Sequence, residues 1–199
     1  MTSALLCLVF AYLCGSVSTA ILVCRLMGLP DPRSEGSRNP GATNVLRIGG
    51  RKAAAITLAG DFLKWLIPVL VARAFGQGPE VLAATAFAAF LGHLYPVFFG
   101  FQGGKGVATA LGVMVGLSWQ VALAALATWL VIARVWKISS LAALGAATLS
   151  PLYALLFGLP GAYALALLPM VALLLWRHRE NIRRIRAGTE SRIGDKKKT

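Results

Sequence analysis

The sequence predicts an all-α integral membrane protein, a seven-helix transmembrane bundle with its N-terminus outside and its C-terminus in the cytoplasm. Of its 199 residues, 57% are hydrophobic and only 14% are charged, and the mean hydropathy is +0.71. A soluble domain of this size has a much more polar composition. Each long apolar run should be helical, because lipid leaves a single segment no other way to satisfy its backbone hydrogen bonds.

The distribution of basic residues predicts the orientation of the bundle. The chain has 20 Lys and Arg residues against 7 acidic ones, and most of them fall in residues 25–52 and after Trp176. Cytoplasmic segments of membrane proteins carry such an excess of cations, so both segments are expected on the cytoplasmic side. Nothing in the chain is typical of a nucleic-acid-binding module, and no nucleic-acid partner is expected.

Apolar runs continue along the whole chain, so we expect one domain over residues 1–199. The first run has no basic segment before it and no cleavage site after it, and it should therefore be retained as a span. Its cysteines, Cys7, Cys14 and Cys24, lack CxxC spacing and are interpreted as packing residues. Spans are expected at about residues 3–24, 53–72, 81–100, 107–117, 119–133, 138–157 and 160–176, followed by a basic cytoplasmic tail over 177–199.

The run from 107 to 133 could form one helix or two. One helix would give six crossings and would leave the two basic segments on opposite sides of the membrane. A turn at Ser118, Trp119 and Gln120 gives seven crossings and removes the conflict. The segment 107–117 then rises only about 16 Å, roughly half the hydrocarbon thickness. We therefore expect a short or partly re-entrant helix there.

The first candidate site is the loop between the first two spans, from Gly36 to Arg47. Glycines let backbone N–H groups approach a ligand, and hydroxyl, amide and guanidinium groups add donors, a combination that suits phosphate or another compact anion. Arg38 is the cation of this loop least expected to take part. The candidate residues are Ser37, Asn39, Gly41, Thr43, Asn44 and Arg47.

The second candidate site is the stretch Gly103-Gly104-Lys105-Gly106 before the short helix. A lysine and several amides at a helix N-terminus favour anions. The stretch is not a Walker A loop, because Phe99 and Gly106 stand where that motif needs glycine and Ser or Thr. The alternative is a flexible connector with a snorkelling lysine.

Two further groups of polar residues lie in the tail and in the second span. On a helix continuing past Trp176, His178 and Asn181 would share one face, with Glu190 following in sequence. Asp61 and Lys64, spaced i, i+3 inside a span, predict either function or pairing with each other. The tail arginines Arg179, Arg184 and Arg186 are interpreted as interfacial anchors.

The stretches GSRNPGATNVLR, GHLYPVFFGFQGGKGVAT and RHRENIRRIRAGTE together resemble the bacterial membrane-bound acyl-phosphate:glycerol-3-phosphate acyltransferase family. The resemblance implies transfer of a fatty acyl group from acyl phosphate to the 1-hydroxyl of glycerol 3-phosphate, giving lysophosphatidic acid and phosphate. The chain departs from the family pattern at Trp65, where glycine is usual, and at Gln102, which is often basic. Contacts to phosphate and substrate are implied for Ser37, Asn39, Thr43, Asn44, Arg47, Gly103, Gly104, Lys105, Gly106, Thr109, His178 and Asn181, and we add His93, Asp61, Lys64 and Glu190 as further candidates.

Acyl phosphate is a mixed anhydride, so the reaction needs alignment and charge neutralisation and no covalent enzyme intermediate. The general base is either His178 or an oxygen of a substrate phosphate, and we favour the substrate, with His178 orienting glycerol 3-phosphate. No cofactor or metal is implied. We expect a monomer in the bacterial cell membrane, with acyl phosphate, glycerol 3-phosphate and membrane lipids as its partners and the active site facing the cytoplasm. The alternative function is a small membrane transporter of anions or phosphate esters.

Overall fold

The described part of the chain is helical and divides into two compact units. The computed structural model describes residues 2–194, apart from the side chain of Thr109, and these residues contain no strand. The first unit ends at Leu117 and the second begins at Ser118. The first contains α1 (Thr2–Ser16), α2 (Thr19–Leu26), α3 (Ala42–Ala74), α4 (Pro79–Leu94), a 3-10 turn (Val97–Phe99) and α5 (Val107–Leu117); the second contains α6 (Trp119–Trp136), α7 (Ser139–Leu156), α8 (Gly161–Arg177) and α9 (Arg179–Arg186).

The predicted all-α class is confirmed, and several helices are long and apolar enough to cross a membrane. Among the described residues, four segments pass by length and composition: α3, α4 with its 3-10 turn, α6 and α7. The number rises to six if α1 with α2, bent by 40°, and α8 with α9, bent by 60°, each count as one broken span. Every apolar run predicted from the sequence contains a helix.

Three details differ from the sequence prediction. The turn expected at Ser118, Trp119 and Gln120 consists of Ser118 alone, because its hydroxyl caps α6 by accepting from Val121 N at 3.5 Å. The helix expected to continue past Trp176 bends sharply at His178 instead. The first span is also interrupted, since α1 ends two residues before α2 begins.

A buried ion pair stabilises the break between α1 and α2. Lys64 Nζ lies 2.9 Å from Asp61 Oδ1 in an ion pair and donates a hydrogen bond, at 2.6 Å, to the carbonyl oxygen of Val17. Both charged side chains are almost wholly buried, at 8% and 3% exposure. The break frees backbone groups from helical hydrogen bonding, and Lys64 satisfies one of them. The interpretation that Asp61 and Lys64 pair with each other is confirmed.

Glycines allow α1 and α4 to pack backbone against backbone. A Cβ atom added to Gly15 would collide with the carbonyl oxygen of Ala89, and one added to Gly92 would collide with that of Tyr12. Small residues at such contacts are typical of helix pairs in membranes, where close packing replaces the hydrophobic driving force. This contact fixes the position of α4, whose C-terminal end leads into the Gly-Gly-Lys-Gly stretch.

The short helix α5 is held at its C-terminal end by an arginine of α3. Arg73 Nη2 donates to the carbonyl oxygens of Gly116 at 2.9 Å and Leu117 at 3.2 Å. The last carbonyls of a helix lack intrahelical partners, and a cation there also complements the helix dipole. Arg73 therefore stabilises α5 at the end opposite to Lys105.

In the second unit, polar contacts connect the helices and the tail. Thr128 Oγ1 of α6 and the Tyr153 hydroxyl of α7 lie 2.6 Å apart. Lys137, in a left-handed conformation with a φ of 55°, ends α6, and its carbonyl oxygen accepts a 2.6 Å hydrogen bond from Ile193 N. The segment that follows α9 therefore returns to the turn between α6 and α7.

Candidate active site

Asn44 organises the first candidate loop from inside. Its Oδ1 accepts a hydrogen bond from Ser37 N at 2.9 Å, and its Nδ2 donates to the carbonyl oxygens of Pro32 and Glu35, both at 2.9 Å. Only 1% of Asn44 is exposed, and both amide hydrogens are engaged within the loop. The loop therefore occupies the Asn44 side chain in this structure, and the direct phosphate contact expected from the sequence stays a prediction.

The loop around Asn44 requires glycine at Gly36. Its φ is +61°, a left-handed conformation that favours glycine, and a Cβ atom there would collide with Asn44 Oδ1. Gly41, at the other end of the loop, is the N-cap of α3. The loop therefore wraps around one buried amide and leads directly into a helix N-terminus, where the dipole favours anions.

The remaining polar residues of this loop lie on its accessible side. Asn39 is half-buried, and its side-chain nitrogen would lie 2.8 Å from a Cβ atom added to Gly41. Arg47 lies in the second turn of α3, just beyond the N-terminus that the loop creates. The exposed residues of the loop and of the first turns of α3 include Ser37, Arg38, Thr43 and Arg47.

Arg33 connects the first candidate loop to the segment before Gly103. Its Nη2 lies 2.7 Å from Asp31 Oδ2 and its Nε lies 3.0 Å from Asp31 Oδ1, while Nη1 donates to Phe99 O at 3.5 Å. The hydrogen-bonded Arg33 guanidinium holds the pKa of the Asp31 carboxyl below its usual value. The first unit therefore brings the two predicted anion-binding stretches to one end of its helices.

The Gly-Gly-Lys-Gly stretch packs closely against the end of α4. Gly104 N donates to His93 O at 3.2 Å, and a Cβ atom on Gly103 would collide with the carbonyl oxygens of His93 and Leu94. The Gly104 N–H is therefore engaged inside the fold in this structure, and its contact with phosphate stays a prediction. His93, a further candidate from the sequence, is buried at 7% exposure and packs against the Gly-Gly-Lys-Gly stretch.

Lys105 is half-buried and precedes the first residue of α5, Val107, by two positions. Its place next to a helix N-terminus is the one predicted from the sequence, and the dipole of α5 adds to the attraction of an anion there. Thr109 falls in α5, but its side chain lies outside the described residues.

In the second unit, Glu190 holds the polar residues of the tail together. Its Oε1 accepts from Asn181 Nδ2 at 2.5 Å and from the Ser140 hydroxyl at 2.7 Å, and its Oε2 accepts from Arg184 Nε at 2.6 Å. Burial alone would raise the pKa of Glu190, but these hydrogen bonds and the Arg184 charge outweigh it and hold the pKa below its usual value. Arg184, interpreted from the sequence as an interfacial anchor, pairs with Glu190 in this cluster.

His178 and Asn181 have defined orientations in this cluster. His178 is 3% exposed, and its Nδ1 lies 2.9 Å from Leu174 O. A carbonyl oxygen can only accept, so Nδ1 carries a proton, and in the neutral imidazole the lone pair is on Nε2. The Glu190 carboxylate likewise accepts from the Asn181 nitrogen, which leaves Asn181 Oδ1 as an acceptor.

Two polar residues of these clusters, Arg33 and Ser140, were not among the candidates from the sequence. Arg33 and Asp31, two residues apart with opposite charges, gave a local signal that could have been used. Ser140 gave none, since it reaches Glu190 across 50 residues of sequence. The structure thus adds one residue to the loop of the first unit and one to the tail cluster of the second.

Comparisons with known proteins identify the family of this chain. A family profile described as glycerol-3-phosphate acyltransferase matches residues 5–188. The chain belongs to the glycerol-3-phosphate acyltransferase family. A glycerol-3-phosphate acyltransferase of Thioalkalivibrio sulfidiphilus is 63% identical over 188 residues, covering 94% of this chain and 93% of the relative, and that of Methylococcus capsulatus is 56% identical over 188 residues, covering 94% and 95%.

Solved structures of this acyltransferase family have the same fold. The glycerol 3-phosphate form of PlsY, an integral membrane glycerol 3-phosphate acyltransferase, superposes with a TM-score of 0.91 at 45% identity, covering 96% of each chain. The lysophosphatidic acid form of PlsY gives a TM-score of 0.89 at 44% identity, again over 96% of each chain. The resemblance inferred from the motifs is confirmed, and the chain is a multi-pass bacterial membrane acyltransferase and not a transporter.

Proposed function

We propose that this acyltransferase moves a fatty acyl group from acyl phosphate to the 1-hydroxyl of glycerol 3-phosphate. The observation that carries the proposal is the pair of loops in the first unit. Each loop ends at a helix N-terminus, and Arg33 ties one to the turn before the other. Such sites neutralise phosphate, and both substrates of this reaction carry one.

The reaction proceeds by direct attack. The 1-hydroxyl oxygen attacks the carbonyl carbon of acyl phosphate, the bond from that carbon to the phosphate oxygen breaks, and phosphate leaves with the bonding electrons. Lys105 and Arg47 balance the charge that develops on the carbonyl oxygen and on the leaving phosphate, with Ser37, Asn39 and Thr43 adding hydrogen bonds. Gly41, Gly103 and Gly106 keep the backbone close enough for this geometry.

The hydroxyl proton has two candidate acceptors, His178 and a substrate phosphate oxygen. Because His178 Nδ1 donates to Leu174 O, Nε2 is the ring atom that would accept a proton in the neutral imidazole. We favour the substrate phosphate as the base, with His178 and Asn181 orienting glycerol 3-phosphate. Glu190 acts through Asn181 and is a positioning residue.

The test is formation of lysophosphatidic acid and inorganic phosphate by the purified protein from acyl phosphate and glycerol 3-phosphate. Lys105→Ala should abolish turnover, while the variant elutes and melts like the wild type. Lys52 is an exposed cation on α3, and Lys52→Ala should keep normal turnover. Acyl-coenzyme A and acyl-carrier protein serve as comparison donors. The proposal fails if the wild type uses no acyl phosphate or if Lys105→Ala turns over normally.

We further propose seven crossings with the N-terminus outside, the active site facing the cytoplasm, and a monomer as the active form. The excess of cations in residues 25–52 and in the tail supports this orientation. In a variant lacking the three native cysteines, Ser3→Cys should react with an impermeant maleimide in spheroplasts, and Ser191→Cys only after lysis. Nanodiscs loaded with a single copy should retain full specific activity.

A further inference from the structure

Trp65 lies at the centre of an aromatic cluster beneath the Gly-Gly-Lys-Gly stretch. Its side chain, on α3, is wholly buried. Its ring meets the His93 ring edge-on, with centroids 5.4 Å apart, and the Phe90 ring at 6.3 Å with a 57° tilt. Phe90 and His93 are spaced i, i+3 on α4 and therefore share one face of that helix. We call Trp65, Phe90 and His93 the aromatic platform.

The two outer rings of the platform lie directly under the glycines on either side of Lys105. A Cβ atom on Gly104 would collide with the His93 ring, and one on Gly106 would lie 2.6 Å from Phe90 Cε2. Gly106 also has a φ of +85°, a conformation that L side chains rarely adopt. The backbone before and after Lys105 is thus in contact with aromatic rings, and both rings are supported by Trp65.

We propose that the aromatic platform sets the position of Lys105, with Trp65, Phe90 and His93 as positioning residues for acyl transfer. The inference rests on the proposed function of Lys105. The three rings pack against one another and leave the backbone around Lys105 little freedom to move. In a well-packed interior, a displaced side chain displaces its neighbours as well. Removing the central ring leaves Phe90 and His93 free to move into the space, and the two glycines then lose their support.

A conservative variant separates ring packing from hydrogen bonding. Trp65 Nε1 is buried without a hydrogen-bond partner among the described residues. Trp65→Phe therefore breaks no hydrogen bond there and keeps an aromatic ring, whereas Trp65→Ala removes the ring. Val69→Ala is the matched control, because Val69 is wholly buried on the same helix but contacts Gly116, at the far end of α5 from Lys105.

The first experiment measures kcat and KM for acyl phosphate together with amide hydrogen exchange over residues 103–108. Trp65→Ala should lower kcat/KM on the order of 10- to 100-fold and speed exchange in this segment, while Trp65→Phe stays within about threefold of the wild type. Val69→Ala should lower the melting temperature without either effect. The platform has no positioning role if Trp65→Ala and Val69→Ala, compared per folded molecule, have the same kcat/KM and the same amide exchange over residues 103–108.

The second experiment tests the contact between His93 and Gly104 by compensation. Gly104→Ala should lose activity because its methyl group meets the His93 ring, and adding His93→Ala should restore part of it. If the double variant is as inactive as Gly104→Ala, the contact with the His93 ring is not the cause of the lost activity. Failure of the wild type to form lysophosphatidic acid would refute the proposed function of Lys105. The effect of Trp65→Ala on amide hydrogen exchange over residues 103–108 could still be measured, because that experiment uses no substrate.

Discussion

The place of Asn44 inside the first loop predicts that its loss will disorder the loop. Asn44→Ala removes three hydrogen bonds, those with Ser37 N, Pro32 O and Glu35 O, each 2.9 Å long. An intramolecular hydrogen bond of this kind contributes about 1 kcal/mol, so the closed loop should lose about 3 kcal/mol relative to open conformations. That difference raises the population of open loop on the order of 100-fold.

The assay combines hydrogen exchange with steady-state kinetics. Amides of residues 33–38 should exchange on the order of 100-fold faster in Asn44→Ala if they exchange by loop opening. The KM values for both substrates should rise, because an open loop no longer presents its donors together. The control is Ser34→Ala, which removes one exposed hydrogen bond of the same loop, from the Ser34 hydroxyl to Asp31 O, and should change both measurements little.

A direct phosphate contact by Asn44 makes a different prediction. The KM of one substrate would rise, and amide exchange over residues 33–38 would match that of the wild type. That result would refute the assignment of Asn44 as an organiser of the loop.

Two further predictions concern buried charges. Replacing one member of the Asp61 and Lys64 pair, as in Lys64→Met, should cost about 3–5 kcal/mol in unfolding experiments, because a buried charge loses its partner. The double variant Asp61→Leu with Lys64→Met should be closer to the wild type, and a cost equal to the sum of the single variants would contradict this. Glu190→Gln should cost about 2 kcal/mol at neutral pH. The pKa of Glu190 is lowered by folding, so its stabilising effect is fully present above the unfolded value of about 4.3 and is lost as the pH falls through the lower folded pKa. The melting temperatures of wild type and Glu190→Gln should therefore converge in acid, while the exposed control Glu180→Gln shows no difference at any pH. A constant gap between wild type and Glu190→Gln would rule out the carboxylate as the cause.

Much of the fold could be predicted because the signals are local. A run of about 20 apolar residues identifies a membrane helix wherever its partners lie, and a lone serine breaks the run from 107 to 133. The pairing of Asp61 with Lys64 was predictable for the same reason, since i, i+3 spacing places both on one side of a single helix. The break at Val17, where Lys64 finds its second partner, had no such signal.

Chemistry that depends on residue type was also predictable. Glycines, a lysine and the start of a helix marked the Gly-Gly-Lys-Gly stretch, and the structure puts Lys105 next to the N-terminus of α5 as expected. The role of each glycine was not predictable. Gly104 donates its N–H to His93 O, and whether an amide points to a ligand or to its own fold depends on the neighbouring helix.

The sequence by itself determined the membrane class, the positions of the helices, the two candidate anion-binding stretches and the family, because hydropathy, helical period and residue chemistry are properties of short segments. Only the tertiary structure decided that Asn44 faces into its loop, that Glu190 joins Ser140 to Asn181, and that Trp65 supports the backbone around Lys105. A buried polar or aromatic side chain takes its partners from residues far away in sequence, and those partners are set by helix packing.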